Sequence, residues 1–352
     1  MSYLGDKFYK PGHISEYPFT DKQAYHINSL AEKQIKSNCN RLHRRGMRIL
    51  MALEIEVDLG FEARRNLPQL IINEIGLSSS PVKIAQYLGQ DLELRFPKQR
   101  PISFLRIINK LKTTLKRVAA KKNVSFSFFN VGDEFGYPSF HINFSLWKNK
   151  KNIFGLYQQY PRIINFIMNR LIEDIKETAF IFALGKYSLK RIDDLRYSDK
   201  YLSFISVLQS DNRSFKNYSP MALPLRDFDN PNTARVEVRR FNDNTGIQSL
   251  KVLMIVKSIA DSLDQIIKLP GVKSFDDLEE VNSKLADKPE AQLVDNTRNN
   301  DYKLSSIFPE GDEWESGHEV LRDRFKKSQR AKEIFGDELH ARICEADFTL
   351  VG

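Results

Sequence analysis

The chain has 352 residues, of which 41% are hydrophobic and 28% are charged, and its formal net charge is +9 at pH 7. This composition is typical of a soluble globular protein and excludes a chain that is disordered throughout. The length allows one large domain or two. The N-terminus lacks a signal-peptide pattern and no apolar stretch approaches ~18 residues, so we expect a cytoplasmic protein with no membrane contact.

The positive charge favours an anionic partner such as a nucleotide, a nucleic acid or an acidic polymer. The basic residues are spread along the chain, however, and their densest runs also fit the solvated faces of helices and turns. A nucleic acid or acidic polymer as partner therefore has weak support. Cys39 and Cys344 belong to no metal or redox motif, and we expect free thiols.

In chain order, an irregular start leads to the capping box Thr20–Gln23, which predicts a helix that stops at Gly46. A strand follows over Arg48–Leu59. Residues Lys83–Leu88 have a helical pattern, and Gly89–Pro97 alternates as a strand does.

The middle of the chain predicts a basic amphipathic helix from Ser103, then strands at Val124–Asn130 and Phe140–Trp147. A helix is predicted over Pro161–Leu184, and short strands and turns over 186–234.

A second capping box, Thr245–Gln248, predicts a helix over Ser249–Leu269. Residues 286–311 are polar and loop-like, and Ser316–Glu319 predicts the start of a helix that runs toward Gly336. A final helical piece covers Glu338–Glu345. The whole pattern predicts an α+β fold with a curved, mainly antiparallel β-sheet backed by helices.

Three segments alternate polar and apolar residues: Ala52–Asp58, His141–Ser145 and Arg235–Arg239. Alternation places every second side chain on one face of a strand. Each segment alone fits a solvated strand face. Together they predict one sheet that holds a metal and an anion, because carboxylates and imidazole bind divalent cations and arginines bind phosphate or carboxylate.

With a fourth segment, these motifs resemble, in order, those of glutamine synthetases and related carboxylate–amine ligases, including glutamate–cysteine ligases. Glu54-Ile55-Glu56 resembles the family's Glu-x-Glu strand, and Asp91–Arg95 its second acidic strand. His141–Trp147 resembles the His-x-His-x-Ser-Leu strand, and Arg235–Arg239 the Arg-x-Glu-x-Arg strand. The resemblance implies a catalytic domain over 48–352, preceded by an N-terminal extension, 1–47, made of a loop and a helix.

The resemblance also implies an activity, in which ATP phosphorylates a carboxylate and an amine attacks the acyl phosphate, with Mg²⁺ or Mn²⁺ as the metal. By this resemblance, Glu54, His141 and Glu237 hold one ion and Glu56 with Glu93 another, while Asp91 is an alternative to Glu93. The implied catalytic residues are Arg235, Glu237 and Arg239, and the implied nucleotide contacts are Asn143, Ser145, Arg239 and Arg95. Structural ion pairs are the alternative role for the two arginines of the last strand.

Three departures from the family bear on the substrate. Asn143 stands where the family has its second histidine, and Lys216–Pro224 lacks the two substrate-binding arginines, for which Arg213, Lys216 or Arg226 are candidate replacements. We also expect no β-grasp domain before the first catalytic strand. We therefore expect small-molecule or peptide carboxylate and amine substrates, joined by an amide or isopeptide bond, rather than free glutamate with ammonia.

Two alternatives stay open from the sequence. One is a non-catalytic protein of the same fold with a binding or structural role, and the other, which fits less well, is a guanidino kinase. The oligomeric state is also open.

Overall fold

The structure is a computed structural model, and it describes residues 19, 21–58, 83–86, 91–122, 140–182, 205–208, 223–227, 230–238, 247–292 and 314–345. The predicted strand Val124–Asn130 lies outside these residues. Within them, no helix is both long and apolar enough to cross a bilayer.

Seven α-helices lie in the described ranges. They are α1 (Asp21–Arg44), α2 (Pro101–Lys122), α3 (Pro161–Glu177), α4 (Gln248–Ile267), α5 (Leu278–Lys284), α6 (Trp314–Lys327) and α7 (Gln329–Cys344). Three short 3₁₀ turns accompany them, at Ile153–Leu156, Ala179–Phe182 and Pro289–Ala291.

Eight strands form one sheet. They are β1 (Met47–Asp58), β2 (Lys83–Gln86), β3 (Asp91–Arg95), β4 (Phe140–Lys148), β5 (Lys151–Asn152), β6 (Ile205–Leu208), β7 (Leu223–Arg226) and β8 (Arg235–Val238). Their spatial order is β2-β3-β1-β4-β8-β7-β6, with β5 paired to β4. Every pair is antiparallel except β6 with β7. The predicted α+β fold with a mainly antiparallel sheet is confirmed.

One face of the central strands is apolar. Met51 of β1 is paired with Phe144 of β4, and Leu53 with Ile142, which is in turn paired with Val238 of β8. All five side chains are buried. Burial of this face supplies the main favourable term for docking the sheet on its helices, and it fixes which residues lie on the opposite face.

Helix α1 is amphipathic and packs against α4, α7 and the start of the sheet. Its apolar residues Ala24, Ile27, Ala31 and Ile35 recur at helical spacing and are buried. The helix ends before Gly46, whose φ of +69° is a left-handed conformation that favours glycine, and β1 begins at the next residue. The helix therefore shares the core of the sheet, and the division of the chain at residue 47 stays a prediction.

Two predicted elements were wrong in type or length. Lys83–Gln86 is strand β2 and pairs with β3, because hydrogen bonding to a neighbouring strand outweighs a weak local helical pattern. The helix that starts at Pro161 ends at Glu177, and the chain tightens into a 3₁₀ turn over Ala179–Phe182.

Two predicted N-caps were also wrong, although the first of these helices starts within one residue of the predicted Ser249. Helix α4 begins at Gln248 with Ile247 as N-cap and no side-chain cap. Helix α6 begins before Ser316 and ends at Lys327, where Ser328 caps α7 by accepting a hydrogen bond from the Ala331 amide. Gly336, with φ +72°, lies at a kink within α7. Ser316 therefore lies inside α6, and the serine that caps a helix here is Ser328, twelve residues further along the chain.

Buried ion pairs join the helices. Arg330 of α7 makes two hydrogen bonds of 2.7 Å to Asp174 of α3, whose side chain is fully buried, and one of 2.9 Å to Asp261 of α4. Asp261 also pairs with Lys257 at 2.5 Å and with Arg41 of α1 at 3.0 Å. The network ties four helices together.

The network also shifts the pKa of Asp261. Burial raises the pKa of Asp261, but its bonds to Lys257 and Arg330 outweigh burial, and the net shift is downward. A lowered folded-state pKa means that this aspartate stabilises the fold fully above its unfolded-state pKa. The contribution is lost as pH falls through the folded value.

We expect Arg330→Met to lower the free energy of unfolding by about 3–5 kcal/mol, because it leaves the buried Asp174 carboxylate without its bidentate partner. Urea denaturation measures the change. Arg342→Met is the matched control on the same helix, since Arg342 pairs with the half-exposed Glu345 at 3.2 Å. The control should cost less than about 0.5 kcal/mol. Equal effects of the two variants would contradict a role for burial.

Candidate metal and anion site

The polar face of the sheet collects residues from β1, β4 and β8. Glu54 is paired with His141, and Asn143 is paired with Glu237. Because the side-chain period of a strand is two, these residues lie on the face opposite the apolar one. His141, Asn143 and Glu237 are nevertheless buried, so the face is polar and shielded from solvent at once.

Three side chains converge on this face. Nδ1 of His141 lies 3.0 Å from Oε1 of Glu237 and 3.8 Å from Oε1 of Glu54. One ligand atom from each of the three residues lies within 4.8 Å of the others. Two carboxylates and one imidazole on a rigid sheet are a donor set that fits a divalent cation such as Mn²⁺ or Mg²⁺.

The outer oxygen of each carboxylate is held by a donor. Nη1 of Arg226 lies 2.6 Å from Oε2 of Glu237. Nδ2 of Asn143 lies 3.5 Å from Oε2 of Glu54, at the outer limit of a hydrogen bond. Nη2 of Arg95 lies 3.4 Å from Oε1 of Glu54, and its side chain is 45% exposed. The Oε1 atoms of both glutamates lie on the His141 side, and Oε1 of Glu54 also meets Arg95.

The guanidinium of Arg235 is anchored on two sides. Its Nε donates to Oδ1 of Asn143 at 3.0 Å, and its Nη1 bonds Oδ2 of Asp227 at 2.7 Å. Within the described part of the chain, Nη2 of Arg235 makes no hydrogen bond. An arginine fixed in this way has further N–H donors that can bind an anion, for which the guanidinium fork is well suited.

The turn that precedes β8 is held from three directions. Nδ2 of Asn152 donates to the Ala234 carbonyl at 2.7 Å, and Lys98 donates to the Asn232 carbonyl at 2.7 Å. Gly155 approaches the backbone of Pro231 so closely that a Cβ would lie 2.9 Å from the Pro231 nitrogen and nearer still to its Cα. These contacts place Arg235 at the start of β8.

Beyond Asn143, the same face of β4 continues to Ser145 and Trp147. The indole of Trp147 donates to Ser145 Oγ at 2.8 Å. Lys98 and Arg48 lie over the ring, 5.4 and 5.9 Å from its centroid. Burial and the nearby Arg235 lower the pKa of Lys98. Both cations make cation–π contacts with Trp147.

The structure brings some of the predicted site residues together. Glu54, His141 and Glu237 come together, and Asn143, Arg235 and Arg95 contact them or each other. Glu56 and Glu93 are paired directly opposite each other between β1 and β3. Ser145 bonds Trp147, which leaves its predicted nucleotide contact a prediction. Arg239, Arg213 and Lys216 lie outside the described residues.

Sequence reasoning missed three contributors. Arg226 was expected only as a replacement for a substrate-binding arginine, whereas it bonds the buried Glu237. Asp227 and Lys98 were not singled out. In the sequence, Asp227 follows directly after the basic residue Arg226. In the structure, its φ of +54° shows that it lies in a turn.

The fold is that of glutamine synthetase. A structure of GmaS in complex with ADP superimposes with a TM-score of 0.61 at 13% identity, covering 89% of this chain and 71% of that one. Plasmodium falciparum glutamine synthetase gives 0.53 at 14% identity, covering 89% and 74%, and a novel glutamine synthase homolog gives 0.56 at 11%, covering 89% and 68%. No family model and no curated protein matches the sequence. At these identities the likeness establishes the fold, and the sequence resemblance to glutamine synthetases is confirmed at that level.

We expect Gly155→Ala to destabilise the protein by about 1–3 kcal/mol, because the added methyl group would clash with the backbone of Pro231. Helical propensity alone favours alanine over glycine, so it predicts a change of the opposite sign. Thermal denaturation measures the difference. An unchanged or higher midpoint would show that the turn before β8 can move aside.

Proposed function

We propose that the protein is an ATP-dependent carboxylate–amine ligase that forms an amide or isopeptide bond through an acyl phosphate. The observation that carries the proposal is the convergence of Glu54, His141 and Glu237 on the polar face of a sheet with this fold. A buried cluster of two carboxylates and an imidazole has little use as packing, since burying charge is costly unless a counter-charge is bound.

In this proposal, each polar residue has a task. Glu54, His141 and Glu237 hold one divalent ion, and Glu56 with Glu93 contribute to a second. A bound Mg²⁺ or Mn²⁺ would neutralise charge on the phosphate oxygens of ATP. The protein itself orients those oxygens and excludes water, through side chains that the sheet has already fixed in place.

Arg235 is the proposed phosphate-binding arginine. Its anchors on Asn143 and Asp227 fix the guanidinium before the nucleotide arrives, so less conformational entropy is lost on binding. Ser145, Arg95 and Arg239 are proposed nucleotide contacts, and Arg239 also a catalytic residue. Arg226 keeps Oε1 of Glu237 directed at the ion by bonding Oε2.

The substrates are proposed to be a small-molecule or peptide carboxylate and an amine other than ammonia. Support comes from the segment Lys216–Pro224, which lacks the pair of arginines that the resemblance leads one to expect. Substrate binding must then rely on other groups.

Hydroxylamine offers a test that does not depend on the natural amine, because it captures an acyl phosphate as a hydroxamate and releases phosphate. The protein is incubated with ATP, Mn²⁺, hydroxylamine and a panel of amino acids, dicarboxylates and short acidic peptides. We expect hydroxamate and ADP in equal amounts with at least one acid. Glu54→Gln and Glu237→Gln should each lower this rate at least 100-fold, because each removes a charged ligand of the ion.

The matched control is Glu319→Gln on the exposed side of α6, which should leave the rate unchanged. Calorimetry with Mn²⁺ and ADP accompanies the assay. Binding that both site variants abolish supports the proposed site. Wild-type protein that neither binds Mn²⁺ nor releases ADP with any acid would contradict the proposal and leave a non-catalytic protein of this fold.

A further inference from the structure

We propose that Asn143 is a positioning residue that links the phosphate-binding arginine, Arg235, to the metal ligand Glu54. The inference rests on the proposed function for the ion and the nucleotide. It assigns to Asn143 a task different from direct contact with the nucleotide, and it predicts that a change at the arginine alters affinity for the metal.

The orientation of the Asn143 amide follows from its neighbours. Nε of Arg235 is a donor without acceptor capacity, and it lies 3.0 Å from one end of the amide, so that end must be the oxygen. The NH₂ end then faces Oε2 of Glu54 at 3.5 Å. If the amide turned over, an N–H would face the arginine and an oxygen would face the carboxylate, and both contacts would become repulsive.

The amide determines which oxygen Glu54 offers to the ion. With Oε2 directed at Asn143, Oε1 lies on the side of His141, where the 45% exposed Arg95 also meets it at 3.4 Å. Glu237 is arranged in the same way by Arg226. Hydrogen bonds to the outer oxygen of a ligand carboxylate fix its orientation and typically change metal affinity by 10- to 100-fold when they are removed.

Burial makes the link effective. Asn143 is 5% exposed and lies on the central strand β4, between the strands that carry Glu54 and Arg235. Water competes poorly for a hydrogen bond in such a position. On the far side, Asp227 holds the guanidinium at 2.7 Å, so the arginine keeps its Nε–H on the amide.

Asparagine also differs usefully from the histidine expected at this position. An amide has a permanent donor at one end and a permanent acceptor at the other. The donor and acceptor of a neutral imidazole depend on its tautomer. The link through Asn143 therefore persists at every pH at which the neighbouring groups keep their charges.

The first test measures Mn²⁺ affinity without nucleotide, from the electron paramagnetic resonance signal of free Mn²⁺. Asn143→Leu conserves approximate size and charge but removes both hydrogen bonds, and we expect a Kd for Mn²⁺ about tenfold weaker. Asn169→Leu is the matched control, because Asn169 is 6% exposed and donates to the Glu290 and Gln292 carbonyls, outside the site. The control should leave the Kd for Mn²⁺ unchanged.

The second test leaves Asn143 intact. Arg235→Lys keeps the charge but removes the fixed Nε–H, so the amide loses the contact that orients it. We expect Mn²⁺ to bind several-fold more weakly in this variant, although its charge is unchanged, and this measurement decides the question if Asn143→Leu does not fold. A wild-type Kd for Mn²⁺ in the folded variants would overturn the link while leaving the proposed ligase intact. Wild-type protein without Mn²⁺ binding would instead overturn the proposed function.

Discussion

The register of β4 between β1 and β8 is the constraint on which the site depends. Because side chains alternate along a strand, a slip of one residue would move Glu54 or Glu237 to the opposite face of the sheet. The apolar face prevents that slip, since Met51 packs in register with Phe144, and Ile142 with Leu53 and Val238. Hydrophobic packing on one side therefore determines where the ligand atoms lie on the other.

Charge compensation explains why the polar face tolerates burial. Glu54 and Glu237 bring two negative charges into a region where Glu237 is fully buried. Arg226 offsets one of them at 2.6 Å, and Arg235 is offset by its own partner, Asp227. Arg95 meets Oε1 of Glu54 at 3.4 Å, but its side chain is 45% exposed and solvent weakens that pair. The two Oε1 atoms beside His141 therefore keep much of their negative charge. Burial of this negative charge destabilises the protein without a cation, and for the same reason it favours the binding of a cation.

The sequence predicted the sheet better than the details around it. Strict alternation at Glu54–Glu56, His141–Ser145 and Arg235–Glu237 has one structural solution, a strand with a polar and an apolar face, and β1, β4 and β8 follow it. The site residues on these strands could be named because their spacing is local. The distances between these residues could not be predicted, since they depend on the order of the strands in the sheet.

Errors arose where a local signal had several solutions. Lys83–Gln86 is too short for its period to distinguish a helix from a strand, and its partner β3 decided the outcome. Ser316 resembles a cap in sequence but lies inside α6, whereas Ser328, at the junction of α6 and α7, caps α7. Arg226 lies on β7, and its contact with Glu237 follows from the pairing of β7 with β8, which no local pattern in the sequence indicates.

The helical layer has a separate part in this arrangement. The residues proposed for chemistry all follow residue 47, as the resemblance implied, yet α1 carries Arg41 and Arg45, which pair with Asp264 of α4 at 2.5 Å each. Burial lowers the pKa of Arg41, but its bonds to Asp264 and Asp261 outweigh burial and raise it. Loss of α1 would leave these partly buried aspartates without those partners and would uncover the apolar surface of α4. The segment before β1 therefore contributes packing and charge to the fold that holds the site, while the proposed metal ligands Glu54, His141 and Glu237 lie on β1, β4 and β8.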